Sequence, residues 1–314
     1  MNAARLRRLI VPALWAALVV TTSGPAGAGT ARAAATATAP APAAASGCGS
    51  PPRLERDDFP GRPRVDNRFY PLQPGRHFVL DGFVIGDDGL HHPHRIETTV
   101  TDLTKVIDGV RTLVVYDVDF EDNVLTESEL FFEAQDREGA VWLLGEYPEQ
   151  YDGGRLSGAP STWITGVAGA SAGIAMPAKP RVSDPSYLQG LARAVGFEDC
   201  ATTFSAGQAT CVPVKCYDDV LVTDEFGPLD PSSGHQRKFY APGVGTVRVE
   251  AVGGVDPETL TLATSEKLCE QAFASIRDQA LQEDVRGYSV VPGAYGGTPH
   301  ARRSLDAELC SSES

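Results

Sequence analysis

Residues 76–134 read RHFVLDGFVIGDDGLHHPHRIETTVTDLTKVIDGVRTLVVYDVDFEDNVLTESELFFEA, and this stretch decides the fold. Four runs within it, at 76–85, 95–105, 111–120 and 124–134, are rich in Val, Thr, Phe and Tyr, and apolar residues often alternate with polar ones. Such runs predict β-strands. Turn segments at 87–89, 108–109 and 121–123 separate them. Turns this short predict that consecutive strands pair as antiparallel hairpins.

The strand pattern continues beyond this stretch, with further runs at 141–147, 218–225, 237–240, 246–252 and 259–264. A flat sheet of eight or more strands would leave long, adhesive edges, so the sheet must curl or close. The sequence therefore predicts a mainly β fold, an antiparallel meander that forms a barrel or half-barrel.

One packed C-terminal helix is predicted after Thr264, where Ser265 and Glu266 supply an N-cap and an acidic first turn. Six residues fall on one face of this helix: Leu268, Cys269, Ala272, Phe273, Ile276 and Ala280. A second, weaker helix is predicted at 185–195. The segment after Gly287 is rich in Gly, Pro and Ser and predicts a loose tail.

The N-terminal region predicts export. Arg5, Arg7 and Arg8 precede an apolar run at 9–20, and small residues follow, which is the order of a secretory signal peptide. We expect a signal peptide at 1–33, a disordered Ala/Pro/Thr tether at 34–58, an antiparallel β-domain at 59–264, and a helix with a disulfide-tied tail at 265–314. The mature protein is expected to be secreted or extracellular.

Charge and hydropathy exclude two classes of partner. The chain of 314 residues has a formal net charge of −14, and no basic run with interleaved aromatic residues follows its first 35 positions. A nucleic acid is therefore not an expected partner. No segment of the mature chain approaches the ~18 consecutive apolar residues of a spanning helix, so no transmembrane segment is expected. The acidic balance favours neutral or cationic partners, and the oligomeric state stays open.

Six cysteines, all in the exported part, predict up to three disulfides. Their spacing favours local closure among Cys200, Cys211 and Cys216, and a clamp from Cys269 to either Cys310 or Cys48. The segment that ends at Cys48, ASGC, also resembles a lipoprotein acceptor site. Because it lies far from the apolar run at 9–20, a disulfide at Cys48 is favoured over a lipid anchor.

Three histidines, His91, His92 and His94, follow an acidic turn. His92 and His94 share a face of an extended chain and could bind a metal with Asp87, Asp88 or Glu97. The favoured alternative is a solvated loop with adventitious surface affinity for copper or zinc. No other cofactor is indicated.

Acidic residues also alternate along two predicted strands. Asp117, Asp119 and Glu121 indicate either a solvated strand face, which is favoured, or carboxylates inside a barrel lumen. Glu127 and Glu129 share a face with Phe131, and carboxyl groups beside apolar side chains acquire raised pKa values suited to general-acid work.

Four segments resemble a known family: FYPLxPG at 69–75, AQDxxGxVWxxGE at 134–146, AGIxMPAxP at 172–180 and KFYAPGVG at 238–245. In this order they resemble a widespread family of exported bacterial β-rich proteins with no established activity, and the similarity spans 65–252. The resemblance implies an exported β-domain. Family members have an acidic residue and a histidine before the KFY motif, where this chain has Gln236 and Arg237. The resemblance therefore implies no metal or acid–base site at that pair.

Two functions are compatible with these features. In the first, the exported barrel binds a small apolar or cell-envelope molecule, because aromatic side chains on inward faces form such pockets. The predicted ligand-binding residues are Phe131, Trp142, Trp163, Phe239 and Tyr240. In the alternative, the same scaffold is an exported enzyme that uses Glu127, Glu129 or His235 for acid–base chemistry in the lumen.

Overall fold

The computed structural model describes residues 48–310. The predicted signal peptide at 1–33 and the first part of the predicted tether, 34–47, lie outside the described residues. No helix within 48–310 has both the length and the hydropathy needed to cross a membrane.

Seventeen strands and two α-helices make up the described chain. The strands are β1 (Val65–Asp66), β2 (Pro71–Leu72), β3 (Arg76–Ile85), β4 (His91–Ile107), β5 (Val110–Glu121), β6 (Val124–Gln135), β7 (Val141–Asp152), β8 (Arg155–Gly158), β9 (Trp163–Ile164), β10 (Ser171–Met176), β11 (Tyr187–Ala192), β12 (Phe197–Cys211), β13 (Cys216–Phe226), β14 (His235–Ala241), β15 (Gly245–Val252), β16 (Glu258–Lys267) and β17 (Arg302–Arg303). The helices are α1 (Glu270–Val290) and α2 (Pro292–Tyr295).

Twelve of these strands form a closed antiparallel barrel. Strands β3 to β7 pair in sequence, as do β10 to β16. β16 then pairs with β3, and β10 pairs with β7 through Gly173 opposite Leu143, so the sheet closes without an edge. The predicted barrel is confirmed. Its two ends are named here after their turns: the Asp88 end holds the turn from β3 to β4, and the Gly243 end holds the turn from β14 to β15.

Three barrel strands, β10, β11 and β12, were not predicted, and the weaker helix predicted at 185–195 is wrong. The chain there forms strand β11 and then a short 3₁₀ turn at Arg193–Val195. β11 pairs with both β10 and β12. Closing the barrel needs these pairings, so tertiary hydrogen bonding outweighs the helical pattern of the local sequence.

The predicted C-terminal helix is confirmed as α1, but it begins later than expected. Strand β16 continues to Lys267, opposite Arg76 of β3, so Leu268 and Cys269 precede the helix. Phe273 and Ala280 are its buried apolar residues. The helix packs on the outer wall of β4 and β6.

Charged contacts join this helix to the barrel wall. Lys105 Nζ lies 2.8 Å from Asp284 Oδ1, and both side chains are fully buried. Arg286 Nη2 donates to Glu149 Oε2 at 2.6 Å. The tail is not loose as predicted, because Tyr295 of α2 is buried and β17 pairs with β4.

Because side chains alternate between the two faces of each strand, apolar residues form one region inside the barrel and another on its outer wall. On β5, Leu113 and Val115 face the barrel interior, whereas Val114 and Tyr116 lie in the apolar cluster of the outer wall, which includes Ala280 of α1. Both faces of this strand are therefore covered. The inward positions continue with Asp117 and hence carry acidic side chains into the barrel.

All six cysteines form disulfides: Cys48–Cys200, Cys211–Cys216 and Cys269–Cys310. The predicted local disulfide is confirmed for Cys211 and Cys216. Of the two partners predicted for Cys269, the structure shows Cys310. Cys200 pairs with Cys48, so the Cys48 sulfur is not free to carry a lipid. The described part of the predicted tether, 48–58, is held to the barrel by this bond and by a salt bridge from Arg56 to Asp108.

Candidate functional site

The barrel contains a partly open cavity of ≈ 170 Å³ in the half nearer the Gly243 end. Its lining mixes apolar and ionisable side chains, because inward-facing strand positions supply both. The larger apolar side chains of the lining are Leu72, Phe78, Leu80, Ile96, Val115, Phe131, Leu143, Val244 and Val249. The ionisable side chains are Tyr70, Asp117, Glu133, Glu146, Asp199, Glu225, Lys238 and Tyr240.

The segment from β1 to β2 is fastened across the Gly243 end of the barrel. Asn67 Nδ2 donates to Gly139 O at 2.9 Å, and the Gly243 N–H donates to Arg68 O at 2.8 Å. Gly243 has φ = 72°, a left-handed conformation that favours glycine. These contacts position Tyr70, whose hydroxyl donates to Glu133 Oε1 at 2.9 Å inside the cavity.

Two carboxyl groups on the cavity wall are poised to change charge near neutral pH. Burial raises the pKa of Glu133 to about 8, although the hydrogen bond from Tyr70 favours the ionised form. Burial likewise raises the pKa of Asp117 to about 7, against a hydrogen bond from Thr98. The pKa of Asp199 is also raised well above its usual range by burial and by the nearby Glu225.

Lys238 is the one cationic side chain on this wall within the described residues, and it is already paired. Its Nζ lies 2.7 Å from Glu225 Oε2. Glu225 Oε1 also accepts hydrogen bonds from the hydroxyls of Tyr240 at 3.1 Å and Thr223 at 2.8 Å. Burial alone would lower the pKa of Lys238, but attraction to Glu225 outweighs it and the pKa is raised. Lys238 therefore stays charged.

Trp163 lies behind the cavity wall rather than on it. Its Nε1–H donates to Glu146 Oε2 at 2.8 Å, and its ring stacks on Phe197 at 5.1 Å between centroids. A Cβ on Gly190 would lie 2.7 Å from Phe197 and 3.0 Å from Trp163, so glycine leaves room for this pair. The indole thus holds the carboxyl group of Glu146 at the cavity.

A second layer of ionisable groups lies next to the cavity, toward the Asp88 end. His94 Nε2 is 2.7 Å from Asp119 Oδ1, and His94 Nδ1 is 3.4 Å from Glu258 Oε2. Burial alone would lower the pKa of His94, but these carboxyl groups together raise it to about 10. The ring is therefore a fixed cation rather than a general base.

Glu127 and Glu129, the candidate general acids, are both inside the barrel in this layer. Register places Glu127 opposite Asp119 and Glu129 opposite Asp117. The pKa of Glu129 is raised well above its usual range by burial and by Glu146. The space that Asp117, Asp119, Glu127 and Glu129 border measures ≈ 20 Å³. The favoured interpretation of Asp117 and Asp119 as a solvated strand face is wrong, and the lumen alternative is right for both.

The three histidines considered as metal ligands, with a solvated loop as the favoured alternative, do not converge. His91 is exposed and stacks on Phe83 at 4.1 Å. His92 Nδ1 lies 2.9 Å from Asp122 Oδ2, and its Nε2 lies 3.2 Å from Asp88 Oδ1. His94 is buried in the acidic layer described above. His92, Glu121 and Asp122 bring one ligand atom each within 4.8 Å of one another, so this surface group could hold a metal ion.

The predicted ligand-binding aromatic residues fall into two groups. Phe131 and Tyr240 line the cavity. Trp142 does not, because it lies in the outer apolar cluster, packs edge-on against Phe59 and donates from Nε1 to Asp136 at 2.7 Å. Phe239 alternates with the inward Tyr240, and Arg248 lies 5.3 Å over its ring.

His235, the remaining catalytic candidate, is exposed and far from the cavity along β14. Its Nδ1 lies 2.7 Å from Asp224 Oδ2 at the Asp88 end.

The sequence did not indicate six of the ionisable residues that line the cavity: Tyr70, Glu133, Glu146, Asp199, Glu225 and Lys238. The four family-like segments could have pointed to the cavity, because each of them contributes residues to its lining. Tyr70, Glu146, Ala175 and Lys238 represent them.

Comparisons with known proteins found two similar solved structures. No protein-family model and no curated protein matches the chain. A Bacteroides fragilis protein, described as exported and as having a YmcC-like fold, is 12% identical, with 64% of this chain and 100% of that chain covered at a TM-score of 0.38. A Parabacteroides distasonis protein described as a lipoprotein is 11% identical, with 64% and 99% covered at a TM-score of 0.34. The family resemblance of the four segments stays a prediction.

Proposed function

We propose that this protein is an exported binding module that holds a small, largely apolar molecule inside its barrel. The observation that carries the proposal is the closed barrel with an internal cavity of ≈ 170 Å³ and a wall of aliphatic and aromatic side chains. Binding sites of this kind combine an apolar wall with a few convergent polar groups. The aromatic part of the wall consists of Tyr70, Phe78, Phe131 and Tyr240.

The cavity volume limits the size of the bound group. A cavity of about 150 Å³ lined by apolar side chains accommodates benzene. A space of ≈ 170 Å³ therefore suits one six-membered ring with a small substituent. A larger ligand would bind with one end inside the barrel and the remainder beyond Pro71 and Leu72, which are only half-buried.

The enzyme alternative has less support from the geometry. Glu127 and Glu129 do converge in the lumen, but the space of ≈ 20 Å³ beside them holds about one water molecule. A substrate group could not approach these carboxyl groups without movement of the wall. The larger cavity has room for a ligand, and its Lys238 and Glu225 are engaged with each other.

The proposal is tested with toluene as a probe and with a matched pair of variants in β15. Val249→Phe places a ring in the cavity, because Val249 is buried and lines it. Val252→Phe makes the same change at an exposed position near the Asp88 end. Saturation-transfer NMR should show toluene binding to the wild type and to Val252→Phe, and at least about tenfold weaker binding to Val249→Phe.

Thermal unfolding of both variants serves as the control for folding. The proposal is overturned if toluene does not bind the wild type. It is also overturned if a folded Val249→Phe variant binds toluene as well as the wild type does.

A further inference from the structure

The wall of the cavity carries far more acidic than basic groups. Five carboxyl side chains line it, whereas Lys238 is its one cationic side chain among residues 48–310. Lys238 is paired with Glu225 at 2.7 Å. The next cation, His94, lies between Asp119 and Glu258 in the adjacent layer. Lys238 also attracts Asp117, Glu133 and Asp199, but its single charge cannot balance all five carboxyl groups of the cavity.

Acceptor atoms on this wall also lack partners. Within the described chain, Asp117 Oδ1 and Gln189 Oε1 are buried and have no hydrogen-bond partner. Gln189 is 8% exposed and lines the cavity, as does Asp117. Glu129 Oε1, which borders the adjoining small space, is also buried and has no hydrogen-bond partner. Buried polar atoms normally have partners, and a ligand that donates hydrogen bonds would supply them.

A group with several donors and a positive charge satisfies both observations. A primary ammonium has three donors and no acceptor. At pH 8, where Asp117 is mostly ionised, an anion in the cavity would be repelled by its carboxylate. A purely apolar ligand would leave the acceptors without partners. The volume of ≈ 170 Å³ leaves room for an apolar body of about one ring beside the charged group.

We propose that the ligand class is a small primary amine with an apolar body, and that Asp117 binds its ammonium group while the aliphatic and aromatic wall holds the body. This inference rests on the proposed function, because it names the ligand of the same cavity.

Binding of an ammonium group would be linked to loss of a proton from the protein. Several groups face Asp117 from the surrounding elements: Tyr70, Thr98, Asp119, Glu129, Glu133 and Lys238. Burial among them raises the pKa of Asp117 to about 7, so at pH 6 the group is mostly neutral. A bound cation favours the carboxylate, and the proton leaves to solvent. Affinity for an amine should therefore rise by about tenfold between pH 6 and pH 8.

The test uses three probes with the same ring: cyclohexylamine, cyclohexanol and cyclohexanecarboxylate. Cyclohexylamine stays protonated over this pH range, as a lysine amine does. We expect the amine to bind about tenfold more tightly than the alcohol at pH 8, the carboxylate to bind least, and only the amine to show the rise with pH. Calorimetry at pH 6, 7 and 8 measures all three and also the released proton.

The variant Asp117→Asn should weaken amine binding by about tenfold and remove its pH dependence, while binding of cyclohexanol stays within about twofold. Asp152→Asn, at an exposed site on β7, is the control and should bind all probes as the wild type does. The comparison of probes on the wild type keeps the inference testable if Asp117→Asn does not fold.

Failure of this inference is distinguishable from failure of the proposed function. If toluene and cyclohexanol bind but cyclohexylamine binds no more tightly than cyclohexanol, the amine inference is overturned and the apolar binding module stands. Tighter binding of cyclohexanecarboxylate than of cyclohexylamine would likewise overturn the amine inference and leave the apolar binding module standing. If no probe binds, both proposals are overturned.

Discussion

Replacing Glu133 with glutamine should make the stability of the barrel less dependent on pH. The substitution Glu133→Gln keeps the size of the side chain and an oxygen that can accept the hydrogen bond from Tyr70. It removes a carboxyl group whose pKa burial raises from an ordinary value of 4.5 to about 8. Between these two pH values the folded protein binds a proton that the unfolded chain has lost. Stability contributed by the protonated group is therefore complete below pH 4.5 and is lost as pH rises toward 8.

The size of the effect follows from this window. Each pH unit between the two pKa values changes the free energy of unfolding by about 1.4 kcal/mol for one proton. From pH 6 to pH 8, with the slope declining near 8, Glu133 contributes a loss of about 2 kcal/mol. Asp117 adds a loss in the same direction in both proteins, because its pKa is also raised, to about 7. The wild type should therefore lose about 2 kcal/mol more than Glu133→Gln over this range.

Urea unfolding at pH 6, 7 and 8, with the disulfides intact and followed by tryptophan fluorescence, measures this difference. Glu138→Gln is the control, because Glu138 is exposed in the turn after the same strand. Its unfolding free energy should change with pH as that of the wild type does. Parallel curves for the wild type and Glu133→Gln would mean that Glu133 has the same pKa in the folded and unfolded states, which would contradict the raised pKa.

Three further results are expected. Trp142→Ala should destabilise the fold by about 3 kcal/mol, because it removes a buried ring from the outer cluster. Toluene should nevertheless bind the folded variant as it binds the wild type. Tenfold weaker binding would place Trp142 in the site. The His94 ring should stay charged up to pH 8 in NMR spectra, since its pKa is raised to about 10, and titration near pH 6.5 would contradict the ion pairs with Asp119 and Glu258. Alkylation of the unreduced, denatured protein should add no mass, because all six cysteines are paired; labelling of Cys48 would contradict its bond to Cys200.

The sequence predicted strands well where one face of a strand is consistently apolar. The bounds predicted for β3, 76–85, are those that the structure shows. β12 was missed because its second half extends beyond the barrel and pairs with β13 alone. That half is rich in Ser, Gly, Gln and Thr and is mostly exposed, with even Phe204 47% exposed, so it carries no pattern of burial. Hydrogen bonding to a neighbouring strand leaves no such trace in the sequence.

The candidate site was only partly predictable, because periodicity does not reveal which strand face lies inside. On β5 the acidic positions were assigned to solvent, although Asp117 and Asp119 face the lumen. Trp142 on β7 was assigned to the lumen, although it lies on the outer wall. The physical reason is that helix α1 and residues such as Phe59 cover part of that outer wall, so apolar side chains are buried on both faces of the sheet.

Locating a bound probe would show whether the barrel interior is a binding site. With toluene and isotopically labelled wild-type protein, we expect intermolecular NOEs from the ring of toluene to the side chains of Leu80, Phe131 and Val249, all of which line the cavity. NOEs confined to exposed apolar side chains such as Leu90 and Val255, or the absence of any NOE at saturating toluene, would contradict this expectation.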